Sequence, residues 1–290
     1  MLQTNSLVIG RFAPSPSGPL HFGSLVAALG SYLSAKSQGG QWLVRMEDID
    51  PPREQAGAAD TILRQLTAFG LHWDGTVLYQ SRRSDRYDEV LEQLRQRGLL
   101  YGCDCSRREL QDNQGRCSKH CRQRGLPLAD GVAWRLQAGR EPLPFEDAIW
   151  GACRFPDTEL DDVVLKRRDG LYAYQLAVVV DDVDQGITEV VRGADLLDAT
   201  PRQLYLWQLL GGTPPRWAHL PLIVQADGRK LSKQNYAPAI TGADALGLLK
   251  QALAVLGQPV PPGDDIPALL AEACAHWRID RVPRGPVMLA

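Results

Sequence analysis

A chain of 290 residues, 44% of them hydrophobic, can bury one or two sizeable cores, which excludes a disordered or fibrous protein. Its formal net charge of -2 excludes a molecule coated in positive charge, though not a local basic patch for a polyanion. The longest apolar runs, such as AVVV at residues 177–180, fall far short of a membrane helix, and the first residues lack the basic-then-apolar order of a secretory leader. A cytoplasmic protein with no membrane partner is therefore expected.

LVIGRF (residues 7–12) reads as a buried strand and HFGSLVAALGSYLSAKS as the helix after it, with Gly23, Ala27, Ala28 and Ser31 on one close-packing face. QWLVRMED (41–48) is a second strand. PPREQAGAADTILRQLTAFG reads as a helix with Pro in its first turn and Gly70 as its stop, and RSDRYDEVLEQLRQRG as another, capped by Ser84 and stopped by Gly98. This alternation predicts a parallel sheet with crossover helices. From Tyr101 the texture turns Cys-rich and Arg-rich, with VAWRL as a short strand and Pro142, Pro144 and Pro156 as breakers, and it reads as an insertion. Order resumes with YAYQLAVVVDD, the strand ITEVVRG, and TPRQLYLWQLLGG, a helix capped by Thr200 and stopped by Gly211. DALGLLKQALAVLG and IPALLAEACAHW then form a helical tail. The expected division is 1–100 and 169–240 as the two halves of an α/β Rossmann-like domain, 101–168 as the insertion, and 241–290 as the tail.

The junction RFAPSPSGPLHFGSL places Ser15, Gly18, His21 and Gly23 at the mouth of a helix, where unpaired backbone N–H groups attract an anion. Gly lets the backbone approach a ligand, and His can donate to a phosphate oxygen. Neither the Walker loop nor the dinucleotide fingerprint is present. DGRKLSKQN puts Lys230 and Lys233 on a Gly-containing loop that can close on a triphosphate as charge builds on departing pyrophosphate. Arg11, Glu47 and Arg192 stand where successive strands end, so they can converge on a substrate with two carboxylates and an ammonium. Asp181, Asp182 and Asp184 read as a solvated acidic loop.

Four of the six cysteines form C-x-C-x11-C-x3-C at Cys103, Cys105, Cys117 and Cys121, a spacing suited to one structural Zn²⁺ with a closed thiolate sphere. His120 is the alternative ligand, and reduced free thiols the alternative state. Cys153 and Cys274 read as small core residues. Around the cluster, Arg107, Arg108, Arg116, Lys119, Arg122 and Arg124 against Glu109 and Asp112 make a local charge of +4, suited to RNA phosphates.

RFAPSPSGPLHFGSL, RMEDIDPPRE, YQLAVVVDD, VVRGADLLDATPRQ and KLSKQ, in this order, resemble the catalytic core of class I glutamyl-tRNA synthetases over most of residues 7–240. HFGS (21–24) stands for the family's HIGH motif, with Ser24 in place of the last His, and KLSKQ (230–234) for KMSKS, with Gln234 in place of the last Ser. With only 56 residues after Gln234, no large anticodon-binding region is expected. The cysteine cluster near residue 100 and PSPSGPLHFGSL point to the truncated relatives of the glutamyl-Q tRNA(Asp) synthetase family. That resemblance implies activation of L-glutamate with ATP and Mg²⁺ by His21, Gly23, Lys230 and Lys233, with His21, Gly23 and Lys233 on ATP. It implies that Arg11, Phe12, Ala13, Pro14, Ser15 and Tyr174 contact glutamate, that Glu47 holds its ammonium and that Arg192 holds a carboxylate. Transfer then goes to the queuosine base of tRNA(Asp), by a monomer. In the family the third metal position can be Tyr, and Cys117 takes that place here. Three rival readings are a compact synthetase charging a tRNA 3′ end, a non-catalytic paralogue that binds tRNA or glutamate, and a cytidylyltransferase-like enzyme.

Overall fold

The computed structural model describes residues 7–113, 116–117, 120–138, 143–155, 162–225, 229 and 238–288. The chain begins with β1 (Ile9–Phe12), α1 (Phe22–Lys36), β2 (Gln41–Met46), α2 (Ala58–Ala68), β3 (Leu78–Tyr79) and α3 (Ser84–Gln96). β1, β2 and β3 pair in parallel, with Arg11 opposite Leu43 and Arg45 opposite Leu78. Parallel pairing needs crossovers, and α1 and α2 supply them. α1 is buried along Leu25, Val26, Ala28, Leu29 and Leu33, because an apolar helix between sheet and tail has little face left for water.

The middle of the chain contributes β4 (Leu100–Cys103), the short α4 (Arg107–Asp112) and α5 (Cys121–Arg124), β5 (Ala133–Leu136), β6 (Phe145–Asp147), β7 (Gly151–Cys153) and β8 (Val163–Lys166). β4, β5 and β8 form an antiparallel sheet of their own, while β6 and β7 leave it to join the second half-sheet.

α6 (Tyr174–Asp184), β9 (Glu189–Gly193), α7 (Thr200–Leu209), β10 (Arg216–Leu220) and β11 (Ile223–Val224) complete the site-bearing part. β10 runs parallel to both β9 and β6. The Thr188 backbone N–H donates to the Ile9 carbonyl at 3.0 Å, which brings the second half-sheet against β1. α8 (Ala245–Val255) and α9 (Ile266–His276) lay Leu249, Leu253, Leu269 and Leu270 on the core that α1 enters, and β12 (Val287–Met288) pairs with β11. Among the described residues no helix is long and apolar enough to cross a membrane.

Several local expectations are corrected. Pro51 and Pro52 do not open α2. They belong to a separate 3-10 turn, and the helix begins after Gly57, whose φ of 74° breaks the chain direction. Ser84 and Thr200 are first helical residues rather than caps, and neither makes a capping hydrogen bond. On α1, Ala28 and Ser31 are buried, but Gly23 and Ala27 face a cleft. The closest approach is instead at Gly30, where a Cβ would stand 2.7 Å from Leu220 Cδ1. Asp181 and Asp182 lie inside α6 and are 0% and 2% exposed, so the acidic run is not a solvated loop. Only Asp184 reaches the surface, where it receives Arg83 and Arg86.

Candidate active site

Two adjoining clefts open at the carboxyl ends of the parallel strands, as expected where a doubly wound sheet reverses. The larger, about 670 Å³, is lined by Arg11, Phe12, Ala13 and Ser15 after β1, Glu47 after β2, Tyr174 at the start of α6 and Arg192 on β9. The smaller, about 210 Å³, is lined by His21, Gly23 and Ser24 at the head of α1 and by residues 220–223 from β10 and β11. Gly193 and Asp195 belong to both walls. A Cβ at Gly193 would fall 2.5 Å from Asp195 Oδ1, so a larger residue there would have to displace that carboxylate. Pro14 is absent from either lining. Its carbonyl accepts the Glu47 backbone N–H at 3.0 Å and so ties the two strand ends together.

Arg11 is 3% exposed and forks onto Asp182, with Nε to Oδ1 at 3.1 Å and Nη2 to Oδ2 at 3.4 Å. Arg45 reaches the same carboxylate from β2, Nη2 to Oδ1 at 2.6 Å, and gives Nη1 to Gln185 at 2.8 Å. Burial works to raise Asp182, but the two guanidinium groups outweigh it and hold its carboxyl below the ordinary range. Asp181, one residue back, turns to α3 and accepts from Gln80, Arg83 and Tyr87 at 2.8, 2.6 and 2.8 Å. α6 is thus bonded to the sheet through one carboxylate and to α3 through the next.

Glu47 has no such partner. Its Oε1 is buried without a hydrogen bond, and burial pushes its carboxyl up to about 7 despite Arg45 and Arg11 nearby. A buried carboxylate oxygen lacking a donor is costly unless a ligand supplies one, and a substrate ammonium is the fitting donor. Tyr174 sits half-buried beside it, and burial together with the Glu47 charge raises its phenol.

Arg192 is held on several sides. Nε donates to His219 Nε2 at 3.0 Å, Nη1 to Gln203 at 2.7 Å, and Nη2 to Thr200 Oγ1 at 2.9 Å and the Leu196 carbonyl at 3.2 Å. Its guanidinium also lies 4.9 Å from the Trp217 ring centroid. His219 Nδ1 and Asp147 Oδ2 are 2.6 Å apart, and Asp147 is fixed in turn by the N–H groups of Ile149 and Trp150. Burial lowers the His219 pKa, so the ring is neutral: Nδ1–H goes to Asp147 and the Nε2 lone pair accepts from Arg192. One N–H of Arg192 Nη1 remains for the cleft. Thr200, expected as a helix cap, serves this clamp.

Lys230 and Lys233 lie outside the described residues, as does Lys119 of the basic patch. The chain around them is anchored at the smaller cleft. β11 lines it, the Gln225 N–H meets the Arg229 carbonyl, and Ala239 forms a bridge with His21. His21 Nδ1 accepts the Ser24 N–H at 3.2 Å and caps α1.

The four cysteines of the insertion come together with all sulfurs within 4.8 Å of one another. Cys105 Sγ is 3.6 Å from Cys117 Sγ and 3.7 Å from Cys121 Sγ. A tetrahedral ion with bonds of about 2.3 Å sets its sulfurs about 3.8 Å apart, close to the two distances from Cys105, so the group could hold one metal ion. The Cys121 N–H donates to Cys117 Sγ at 3.3 Å. His120 is exposed in a left-handed conformation at φ 49° and is not part of the group. Cys153 and Cys274 are half-buried, Cys274 against the main core.

Sequence reasoning missed Arg45, Asp147, Asp182, Gln203 and His219. The available signal was a charged residue inside an apolar strand or helix, as in QWLVRM and AVVVDD, which demands a buried partner.

Residues 7–127 and 132–255 match the catalytic-domain model of the class I tRNA synthetases for glutamate (E) and glutamine (Q). A glutamyl-Q tRNA(Asp) synthetase of Pectobacterium atrosepticum is 52% identical over 280 residues, 95% of this chain and 86% of that protein. The corresponding enzyme of Shewanella amazonensis is 53% identical over 277 residues, 95% and 94% of the two chains. A crystal structure of a glutamate tRNA ligase from Elizabethkingia meningosepticum, in complex with its amino acid, superposes with a TM-score of 0.78 at 25% identity, over 98% of this chain and 67% of that one. With this catalytic domain, this likeness and this set of clefts, the chain belongs to the glutamyl-Q tRNA(Asp) synthetase family of class I synthetase-like ligases.

Proposed function

We propose that this enzyme activates L-glutamate with ATP to glutamyl-adenylate and then transfers the glutamyl group to the queuosine base in the anticodon loop of tRNA(Asp). The observation that carries the activation step is the larger cleft, where a buried Glu47 oxygen without a donor faces two anchored guanidinium groups, Arg11 and Arg192. In this reading Glu47 takes the ammonium, Arg11 and Arg192 take the two carboxylates, and Phe12, Ala13, Ser15 and Tyr174 enclose the substrate. Pro14 acts through its carbonyl. ATP, entering with its Mg²⁺, occupies the smaller cleft on His21 and Gly23, and Lys233 and Lys230 close over its phosphates.

The glutamate carboxylate attacks the α-phosphorus and pyrophosphate leaves. No proton has to move in that step, so the protein acts by positioning the reactants and stabilising charge. Next the acceptor's oxygen or amine nucleophile attacks the mixed anhydride, and AMP leaves. Residues 101–168 would form the RNA-facing insertion, with a structural zinc on Cys103, Cys105, Cys117 and Cys121 stiffening it. The names of the relatives support tRNA(Asp) as the acceptor.

The test is to supply ATP, Mg²⁺, labelled glutamate and queuosine-containing tRNA(Asp), then cut the RNA and locate the label. Label in the anticodon fragment, lost with tRNA that lacks queuosine, is the expected result. Label at the 3′ end would overturn the base-modifying reading in favour of a compact synthetase.

A further inference from the structure

Beside the larger cleft, between the sulfur cluster and β8, lies a cavity of about 340 Å³ that the activation chemistry does not use. Its floor is apolar, made by Leu110, Ala133 and Val164 from three different elements. Its rim is cationic. Arg107 is exposed at the start of α4. Arg168 lines the cavity and donates Nε to the Gly131 carbonyl at 2.9 Å and Nη1 to the Asp104 carbonyl at 3.4 Å, so its charge meets no carboxylate among the described residues. Arg135 is 3% exposed and its Nε is buried with no partner, an unmet donor in the wall. Such an atom costs free energy in the empty protein and is offset only by an acceptor brought from outside.

The cavity is coupled to the larger cleft by a shared residue. Arg167 lines both, donating Nη1 to Asp50 at 3.1 Å on the cleft side and Nη2 to Asp169 at 2.5 Å on the cavity side. A polymer with one unit in the cleft would therefore present its neighbouring unit to the cavity. Unstacked bases are held against aromatic rings or guanidinium planes with cationic side chains beside the phosphate, and here the guanidinium groups border an apolar floor.

We propose that this cavity takes a nucleotide of the RNA substrate next to the reacting one, its base on Leu110, Ala133 and Val164 and its phosphate among Arg107, Arg135 and Arg168. The proposal rests on the proposed function, in which a base of the tRNA anticodon loop must reach the glutamyl group held in the larger cleft. It adds a second unstacked base as a determinant of acceptor choice.

The test uses the full-length enzyme and a queuosine-containing anticodon stem–loop, intact or with the base removed on one side or the other of the modified nucleotide. For the unaltered enzyme, removal on one side is expected to raise the RNA KM roughly tenfold, the scale of one stacked base. Ala133→Trp, which fills the cavity, should raise the KM for the intact stem–loop by a similar factor and abolish its dependence on the flanking base. Arg107→Glu at the exposed rim is the second variant, for which KM should rise while the preference for the intact loop persists. Glutamate-dependent pyrophosphate exchange and bound zinc serve as the checks that each variant is folded. Transfer that is indifferent to both flanking bases, or variants that keep the RNA KM within twofold, would overturn the cavity assignment while leaving the function standing. Failure of the unaltered enzyme to modify the stem–loop at all, with pyrophosphate exchange intact, would overturn both.

Discussion

Around the cleft, Asp181 and Asp182 are enclosed by Arg11, Arg45, Arg83, Gln80 and Tyr87 between two extensive hydrophobic clusters. Among the described residues, the hydrophobic cluster around the insertion's sulfurs consists of the buried Tyr101, Cys103, Cys105 and Cys121, with Leu110, Cys117, Leu126 and Ala133 packed beside them. One region is held by burial and by ion pairs inside a large core. The other has a small apolar cluster, to which a metal ion linking the four sulfurs would add much of the order. Under the proposed function activation belongs to the first and the RNA-facing surface to the second, so the two should fail separately.

The largest separation is expected from Cys105→Ser. A structural zinc site contributes on the order of 10 kcal/mol to the fold of its own segment. The variant should lose bound metal and protection of amide hydrogens in β4, α4 and α5, and RNA transfer should fall by at least a hundredfold. Glutamate-dependent pyrophosphate exchange should stay within a few-fold of the parent. Loss of exchange to the same degree as transfer would show that the two regions are one unit.

Asp182→Ala attacks the other region. It leaves Arg11 and Arg45 buried without their shared carboxylate, a cost of about 3–5 kcal/mol in global stability, readable as a fall in the denaturant midpoint. Metal content should be unchanged in whatever fraction remains folded.

Glu47→Gln sharpens the comparison with the smallest effect. The folded carboxyl titrates near 7, above its ordinary 4.5, so the folded protein holds this proton more tightly than the unfolded chain does. Stability from this group is fully present below pH 4.5 and is lost as pH rises through 7. The variant should therefore match the parent at pH 4.5 and exceed it in stability by up to about 3 kcal/mol above pH 7, measured without substrate. Its glutamate KM should rise steeply. In the parent, that KM should fall as pH is raised from 6 to 8, because the ammonium needs the ionised form.

The strand–helix alternation, the His21 turn and the cysteine spacing were legible because each is a local pattern: period, cap residues and ligand interval lie within one stretch of chain. The ion-pair network was not. Asp182 ends an apolar helical run and looks like a solvated terminus, and its partners Arg45 and Arg11 lie 137 and 171 positions away. Its meaning comes from topology, which no window of sequence contains. The clamp on Arg192 is hidden for the same reason, since His219 and Gln203 belong to other elements. Thr200 was misread because its local grammar is that of a cap, while its hydroxyl is used by an arginine on β9. Pro51 and Pro52 misled in the opposite way: a good helix-start signal was overridden by Gly57 a few residues later.

The placing of Asp182 on α6 also bears on how the protein is made. A nascent chain that has completed β1 and β2 carries Arg11 and Arg45 without the carboxylate to which both hydrogen-bond in the finished fold, and that carboxylate is translated only 171 and 137 residues later. The first half-sheet must do without that carboxylate until α6 emerges, so the cleft cannot become dry before then. A first-half fragment released by a stalled ribosome would be an open sheet with two stranded cations, a natural target for chaperone capture until a separately supplied second half restores the missing charge.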